Sequence, residues 1–369
     1  MSESIFSRKR SSHGWVAVTF VLVPLYLVFF PYPGGKETLL IPVWALDLRH
    51  TAPVAETAPE PAGKPAEGGE PVFAFRAGPR FGYAGIDGRL VHSGVTRYQV
   101  TLSDRGFIDY GSRPDHLVFM SPEGVFEYSV QSFGYPLLEA GGEALYMINA
   151  NLGGLRRLNA DGETLWQAEF ASPVTSIALH GEKCLVGLLD GRAALYGASG
   201  EAEFEIDPGG SRISVILGTA LAETGDLALA AGIDPQTLIL VRRRGDGYEV
   251  GRSLTLDSEF RREVILRFGP GGRFLYVEQQ GAVEVVELAS KRSARLPVPG
   301  RLTGLIAGRR FAAAAAEQDG KTALVVFRPP VSTLAVASLP GTSVWGRIVG
   351  GSLVVGLEHE LVRSDVVER

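Results

Sequence analysis

The sequence predicts an all-β fold, a β-propeller of about seven four-stranded blades, preceded by an N-terminal transmembrane helix. Three observations lead to this prediction. Glycine accounts for 46 of the 369 residues, well above ordinary usage, and 22 prolines add to the turn-forming content. Beyond residue 71 the apolar residues come in short runs bounded by glycine or by Asp-Gly pairs, which is typical of strands and tight turns. Before residue 37, one stretch of chain is long, apolar and uncharged.

That first stretch covers residues 15–32 and has no charge between Arg10 and Lys36. Eighteen helical residues span ~27 Å, close to the apolar thickness of a bilayer. The residues predicted to contact lipid are Trp15, Phe20, Leu22, Leu25, Leu27, Phe29, Phe30 and Tyr32. The basic run at residues 8–10 then places residues 1–14 in the cytoplasm and the remainder on the extracytoplasmic, periplasmic side of a single-pass membrane protein. A cleaved signal peptide is the alternative.

Residues 33–71 are predicted to form a juxtamembrane segment and a linker. Within this segment, residues 38–46 are apolar but too short to span a membrane, and they lie at the interface or begin a strand. Trp44 suits the aromatic belt of such an interface. Residues 51–71 consist largely of Pro, Ala, Glu and Gly and contain no aromatic residue, a composition that cannot bury a core. Residues 72–369 are therefore expected to contain the whole propeller.

The propeller prediction rests on a repeat. Residues 173–207 divide into four short strands separated by turn signals, and residues 135–170 divide in the same way. Gly124, Gly162 and Gly200 follow one another at intervals of 38 residues, each before a fourth strand. A period near 40 residues with four strands per unit is the spacing of a propeller. Six units fit between residues 97 and 340, and the two remaining end fragments are expected to combine into a composite seventh blade. Eight blades is the alternative count.

One segment carries a family resemblance. Residues 155–166 run from a strand through Asp161-Gly162 to a strand containing Trp166, and residues 186–196 read as the strand pair that follows. This pattern resembles the repeat of quinoprotein-type propellers, those that bind pyrroloquinoline quinone (PQQ), and is also similar to degenerate WD-repeat blades. The resemblance implies the fold, and it implies little about function because propellers host enzymes and pure scaffolds alike.

The sequence shows no catalytic motif, and we expect no enzyme activity, no cofactor and no metal site. Quinone-dependent members of the resembled superfamily use a vicinal disulfide, which a chain with Cys184 as its single cysteine cannot form. Trp166 is expected to pack between blades. The histidines beyond residue 71 occur singly. The net charge of −5 does not favour a nucleic-acid partner. Solvated strand ends or loops are the simpler explanation of the basic runs. The basic residues that could instead contact an acidic partner are Arg242, Arg243, Arg244, Arg261 and Arg262.

These inferences predict a non-catalytic, membrane-anchored propeller scaffold that binds proteins or envelope components outside the cytoplasm. The alternative is a propeller enzyme or small-ligand sensor with a site in the central channel. In such a site the first strands of all blades converge, so polar groups from distant parts of the sequence can meet without a local motif.

Overall fold

The computed structural model describes residues 38–49, 72–131, 133–142, 144–159, 161–290, 292–342 and 344–368. Residues Leu39–Val367 belong to one structural unit. Within the described ranges this unit contains strands β1–β31 and a single short 3-10 turn, Pro270–Gly272, so the prediction of an all-β fold is confirmed.

The strands form eight antiparallel sheets, which we call blades 1–8. Blade 1 contains β2 (Val72–Ala77), β3 (Arg80–Gly85) and β4 (Leu90–Val95). Blade 2 contains β5 (Gln99–Ser103), β6 (Gly106–Tyr110), β7 (His116–Met120) and β8 (Phe126–Gln131). Blade 3 contains β9 (Gly134–Leu138), β10 (Leu145–Asn149), β11 (Gly154–Leu158) and β12 (Thr164–Glu169). Blade 4 contains β13 (Val174–His180), β14 (Lys183–Leu188), β15 (Ala193–Tyr196) and β16 (Ala202–Ile206).

The remaining four blades follow in chain order. Blade 5 contains β17 (Ile213–Leu221), β18 (Leu227–Ile233), β19 (Thr237–Arg244) and β20 (Gly247–Thr255). Blade 6 contains β21 (Leu266–Phe268), β22 (Phe274–Gln279), β23 (Ala282–Glu287) and β24 (Arg292–Pro297). Blade 7 contains β25 (Arg301–Ala307), β26 (Ala312–Gln318), β27 (Lys321–Arg328) and β28 (Ser332–Pro340). Blade 8 contains β29 (Trp345–Val349), β30 (Ser352–Gly356), β31 (Glu360–Glu368) and, as its outermost strand, β1 (Thr38–Asp47).

The sheets close into a ring because each hides its faces against two neighbours. Eight apolar clusters each join a pair of adjacent blades, and one of them joins blade 8 to blade 1 through Val354 and Phe75. The second strand β18 is buried at every position, whereas the outermost β28 has only exposed and half-buried residues. A sheet packed on both faces needs continuous apolar runs, while an outer strand meets water on one side.

A repeated contact sets the spacing between blades. The ring of Trp166, on the outermost strand of blade 3, lies over Gly200 in the turn between the third and fourth strands of blade 4. A Cβ on Gly200 would lie 2.6 Å from that ring, and the residue has a φ of +86°. The indole N–H of Trp166 donates to the Ala198 carbonyl at 3.1 Å. Glycine is therefore required both for its conformation and for the close approach.

The same contact recurs at three other positions, all between an outermost strand and the following blade. The pairs are Val130 with Gly162, His92 with Gly124, and Trp44 with Gly88. The indole N–H of Trp44 also donates to Ile86, two residues before its glycine, at 3.0 Å. Trp44 thus identifies β1 as an ordinary fourth strand and does not serve as the interfacial aromatic residue that its position in the sequence suggests.

Blade 1 departs from the pattern. His92 on β4 makes the contact of a fourth strand, so β2, β3 and β4 occupy the second, third and fourth positions. No described residue fills the first position. The first strands of the two flanking blades instead join across it: Arg347 of β29 forms a bidentate ion pair with Asp104, in the turn after β5, with one N–O distance of 2.7 Å. The N–H of Ala74 on β2 also donates to Asp104, at 3.5 Å.

The predicted number of about seven blades, closed by a composite of the two end fragments, is wrong. The six predicted units between residues 97 and 340 are six four-stranded blades. The end fragments, 72–95 and 344–368, form two separate blades, because the fourth strand of blade 8 comes from residues 38–47 on the far side of the linker. The ring has eight blades.

The prediction of an N-terminal transmembrane helix, and with it the single-pass membrane localisation, is corrected as well. Among the residues that the structure describes, no helix has the length and apolar character needed to cross a bilayer. The predicted span 15–32, with the anchor residues assigned to it, lies outside those residues.

Candidate functional site

The antiparallel order of strands gives the ring two distinct faces. The first face carries the turns that join strands one to two and three to four of each blade. The second face carries the turns that join strands two to three and the connections that lead from one blade to the next. Loops on such faces are free to vary because the sheets hold their ends in place, so binding residues are expected there.

The arginines selected from the sequence lie on both faces. Arg242, Arg243 and Arg244 end β19 on the first face, where the backbone N–H of Arg243 donates to Asp226 at 3.0 Å. Arg261 and Arg262 lie in the connection between blades 5 and 6, on the second face. The structure therefore does not bring the two groups together into one surface.

Most of these arginines already have partners. Arg242 donates to the Leu288 carbonyl of blade 6. Arg244 lies 3.5 Å from Glu249 in an exposed ion pair, which contributes little free energy. Arg261 is exposed and has no hydrogen bond or ion pair with any described residue.

Arg262 holds the connection between blades 5 and 6 in place. Its guanidinium donates to both carboxylate oxygens of Glu278, at 2.6 and 3.0 Å, and stacks 4.4 Å from the Phe260 ring. Glu278 is 1% exposed and also accepts the N–H of Ile265 at 3.1 Å. The next carboxyl, Glu263, has its pKa raised by desolvation and then by the negative charge of Glu278. These contacts fix the connection between blades 5 and 6 to Glu278 of β22.

A feature that sequence reasoning missed is a set of exposed apolar residues on the second face of blades 1–5. Among the described residues, fourteen large apolar side chains are exposed, and six of them lie at second-face turns or strand ends of these consecutive blades. We call this set the apolar crescent; its members are Val95, Tyr98, Phe133, Leu152, Leu189 and Ile213. Seven of the other eight lie on outermost strands, which any propeller exposes at its rim.

The crescent residues are large and apolar, which is unusual for residues in turns. Turns favour small and polar residues, yet Phe133 is 77% exposed in a connection and Tyr98 is 58% exposed in another. This contrast is visible in the sequence, where Phe133 stands beside a serine and a glycine between two strands. A single exposed apolar residue is ordinary, so Phe133 alone does not indicate a binding surface. It does so only when the structure shows that other exposed apolar residues lie on the same face.

Three arginines next to crescent residues are paired with nearby carboxylates. Arg97, beside Tyr98, pairs with Asp109 at 2.9 Å. Two further pairs, both at 2.7 Å, accompany the crescent residues of blades 4 and 5; they are Arg192 with Asp190 and Arg212 with Asp234. In these pairs each arginine has its own carboxylate, so the crescent combines exposed apolar groups with a rim of neutral ion pairs.

The other residues weighed for chemistry have packing roles. Cys184 is fully buried in the cluster between blades 3 and 4, where desolvation raises the pKa of its thiol well above the usual range. A thiol held neutral in this way is not a nucleophile. Among the described residues there is no group of three or more His, Cys, Asp or Glu side chains that could hold a metal ion.

The architecture and its faces thus define an eight-bladed β-propeller. In agreement, a family model described as beta-propeller protein matches residues 6–368, and the chain belongs to that family. The predicted propeller family is therefore confirmed; the finer resemblance to degenerate WD repeats stays a prediction.

A solved structure supports the same fold. The crystal structure of BamB from Moraxella catarrhalis matches with a TM-score of 0.61 at 14% sequence identity, covering 89% of this chain and 100% of that one. At this level of identity the likeness shows the fold alone. No curated protein sequence matches the chain.

Proposed function

We propose that this propeller is a non-catalytic scaffold that binds a protein partner through the apolar crescent on the second face of blades 1–5. The observation that carries the proposal is the concentration of six exposed large apolar side chains on one face of consecutive blades. A few side chains, often aromatic, supply most of the binding free energy of protein interfaces, and a polar rim commonly surrounds the apolar centre.

The charged residues around the crescent favour a protein as the binding partner over a charged polymer. The three ion pairs beside the crescent give its edge charges of both signs. Nucleic acids and anionic lipid surfaces are bound mainly by unpaired lysines and arginines. A protein surface with apolar side chains and a mixed polar edge is the complement of the crescent.

The test compares two double variants of the full chain as bait in quantitative affinity capture from the source cells. Tyr98→Ser with Phe133→Ser removes the two most exposed aromatic groups of the crescent. Val250→Ser with Val336→Ser is the matched control, since it removes two exposed apolar groups from outermost strands. We expect the crescent variant to lose a captured protein by at least about tenfold and the control to retain it. Equal capture by both variants, or no protein above background with the wild type, contradicts the proposal.

Binding of a small ligand in the central channel is a second candidate function. One observation favours it: an arginine on a first strand has no partner among the described residues. That residue is Arg267, in the middle of β21.

A further inference from the structure

Arg267 lies in the middle of β21, the first strand of blade 6. First strands border the central channel of the ring. The side chain is exposed to water, yet desolvation is the main cause that lowers its pKa. Because β21 is the innermost strand of its blade, an exposed side chain in the middle of this strand faces the channel.

Arg267 differs from the two other arginines near the channel in having no counter-ion. Arg262 is paired with Glu278 and Arg347 with Asp104, each through two N–H donors. The described residues offer Arg267 neither a hydrogen bond nor an ion pair. The positive charge of Arg347, on blade 8, lowers the pKa of Arg267 further. A cation in a confined site is costly unless an anion accompanies it.

The first strand of blade 7, which lies between the blades of Arg267 and Arg347, has a position without a side chain. Blade 7 separates blades 6 and 8, and its first strand carries Gly304 beside a bulge between residues 302 and 304. A Cβ placed on Gly304 would meet no atom within 4 Å. The neighbouring hydroxyl of Thr303 is turned away, since it donates to the Ala315 carbonyl at 3.1 Å. The first strand of blade 7, which contacts β21, therefore leaves open space at Gly304.

We propose that Arg267 binds an oxyanion, a carboxylate or a phosphate, in the central channel. The planar guanidinium presents paired N–H donors that match two oxygens of either group. The anion can come from a free small molecule or from an acidic side chain of a bound protein. The site lies apart from the apolar crescent and does not depend on it.

The experiment measures anion binding to the full-length protein by isothermal titration calorimetry at constant ionic strength. The two probes are inorganic phosphate and a ten-residue peptide with a central glutamate and otherwise neutral residues. Saturable binding of phosphate alone identifies a small-molecule site, whereas tighter binding of the peptide identifies an acidic side chain as the ligand. Saturable binding of neither probe overturns the proposal.

Two arginine variants make the test specific. Arg267→Met should weaken binding of the preferred probe by at least about tenfold. Arg261→Met removes the same charge from an exposed arginine on the second face and should leave the dissociation constant within about twofold of wild type. Unchanged binding by Arg267→Met, or an equal loss in both variants, refutes the assignment.

Two further measurements separate this site from folding and from the crescent. Because Arg267→Met removes an unpaired cation, its melting temperature without anion should be no lower than that of the wild type. A lower value shows that Arg267 has a structural partner and counts against the site. The Tyr98→Ser with Phe133→Ser variant should bind the anion with wild-type affinity. The anion site can therefore be confirmed even if the crescent binds no partner.

Discussion

Replacing Trp44 by alanine should destabilise the whole ring, although Trp44 lies on an outer strand separated from the rest of the propeller by residues 50–71. Its ring packs on Gly88 of blade 1 at 3.0 Å from the position of a Cβ, and its N–H donates to Ile86. The residue is half-buried. Trp44 is thus one of the contacts between blade 8 and the outer part of blade 1, beside the hydrogen bond from Arg363 to Ile86.

The magnitude follows from burial and from the hydrogen bond. Truncating a fully buried tryptophan to alanine costs about 3–5 kcal/mol, and half-burial reduces this by roughly half. The lost hydrogen bond adds about 1 kcal/mol. We therefore expect Trp44→Ala to lower the free energy of unfolding by about 2.5–3.5 kcal/mol. Trp44→Phe keeps most of the apolar contact and should lose about 1 kcal/mol, the hydrogen bond alone.

Urea unfolding followed by far-ultraviolet circular dichroism measures these differences without relying on tryptophan fluorescence. Val43→Ala is the matched control, because Val43 is on the same strand and 48% exposed, and it should change the free energy by less than about 0.5 kcal/mol. Trp166→Ala, at the equivalent buried contact, should cost more than Trp44→Ala. If Trp44→Ala costs no more than Val43→Ala, β1 does not hold the ring closed and the reasoning is refuted.

Two other predictions concern single ionisable groups. Desolvation, and then the charge of Glu278, raise the pKa of Glu263 above its ordinary value of 4.5, so the folded protein retains this proton more strongly than the unfolded chain does. The stability that it contributes is present below pH ~4.5 and is lost as the pH rises through the folded pKa. Glu263→Gln should therefore flatten the fall in melting temperature between pH 4 and 7, and an unchanged profile would contradict this. Cys184, buried and with a raised pKa, should not react with a thiol reagent at pH 8 in the native protein and should react fully in urea; rapid native labelling would show that the blade 3–4 interface opens.

The middle of the fold could be read from the sequence because its signals are local. Each blade from residue 97 to 340 contains its own four strands and its own turn glycine, and Gly162 and Gly200 report the period directly. The ends could not be read in this way. The fourth strand of blade 8 precedes the linker, and its Trp44 resembles an interfacial aromatic residue because it follows an apolar stretch. Only the pairing of β1 with β31 shows its place.

The candidate site was harder to predict for a geometric reason. Arg242 and Arg262 are close in the sequence but lie on opposite faces, because strand β20 runs between them from one face to the other. The crescent has the converse property, because Val95 and Ile213 are more than a hundred residues apart and still belong to one face. Arg267 is noticeable only when its lack of a counter-ion is known, which no sequence pattern reports.

The contact between an outer aromatic residue and the glycine of the next blade is directional: Trp44 reaches forward to Gly88 as Trp166 reaches forward to Gly200. The two sides of each junction are different surfaces, as in the head-to-tail rings formed by identical subunits. The propeller is therefore comparable to a cyclic oligomer whose protomers are joined in one polypeptide. At the four junctions that use this contact, between blade 8 and blade 4, a replacement blade would have to keep the protruding side chain opposite its glycine.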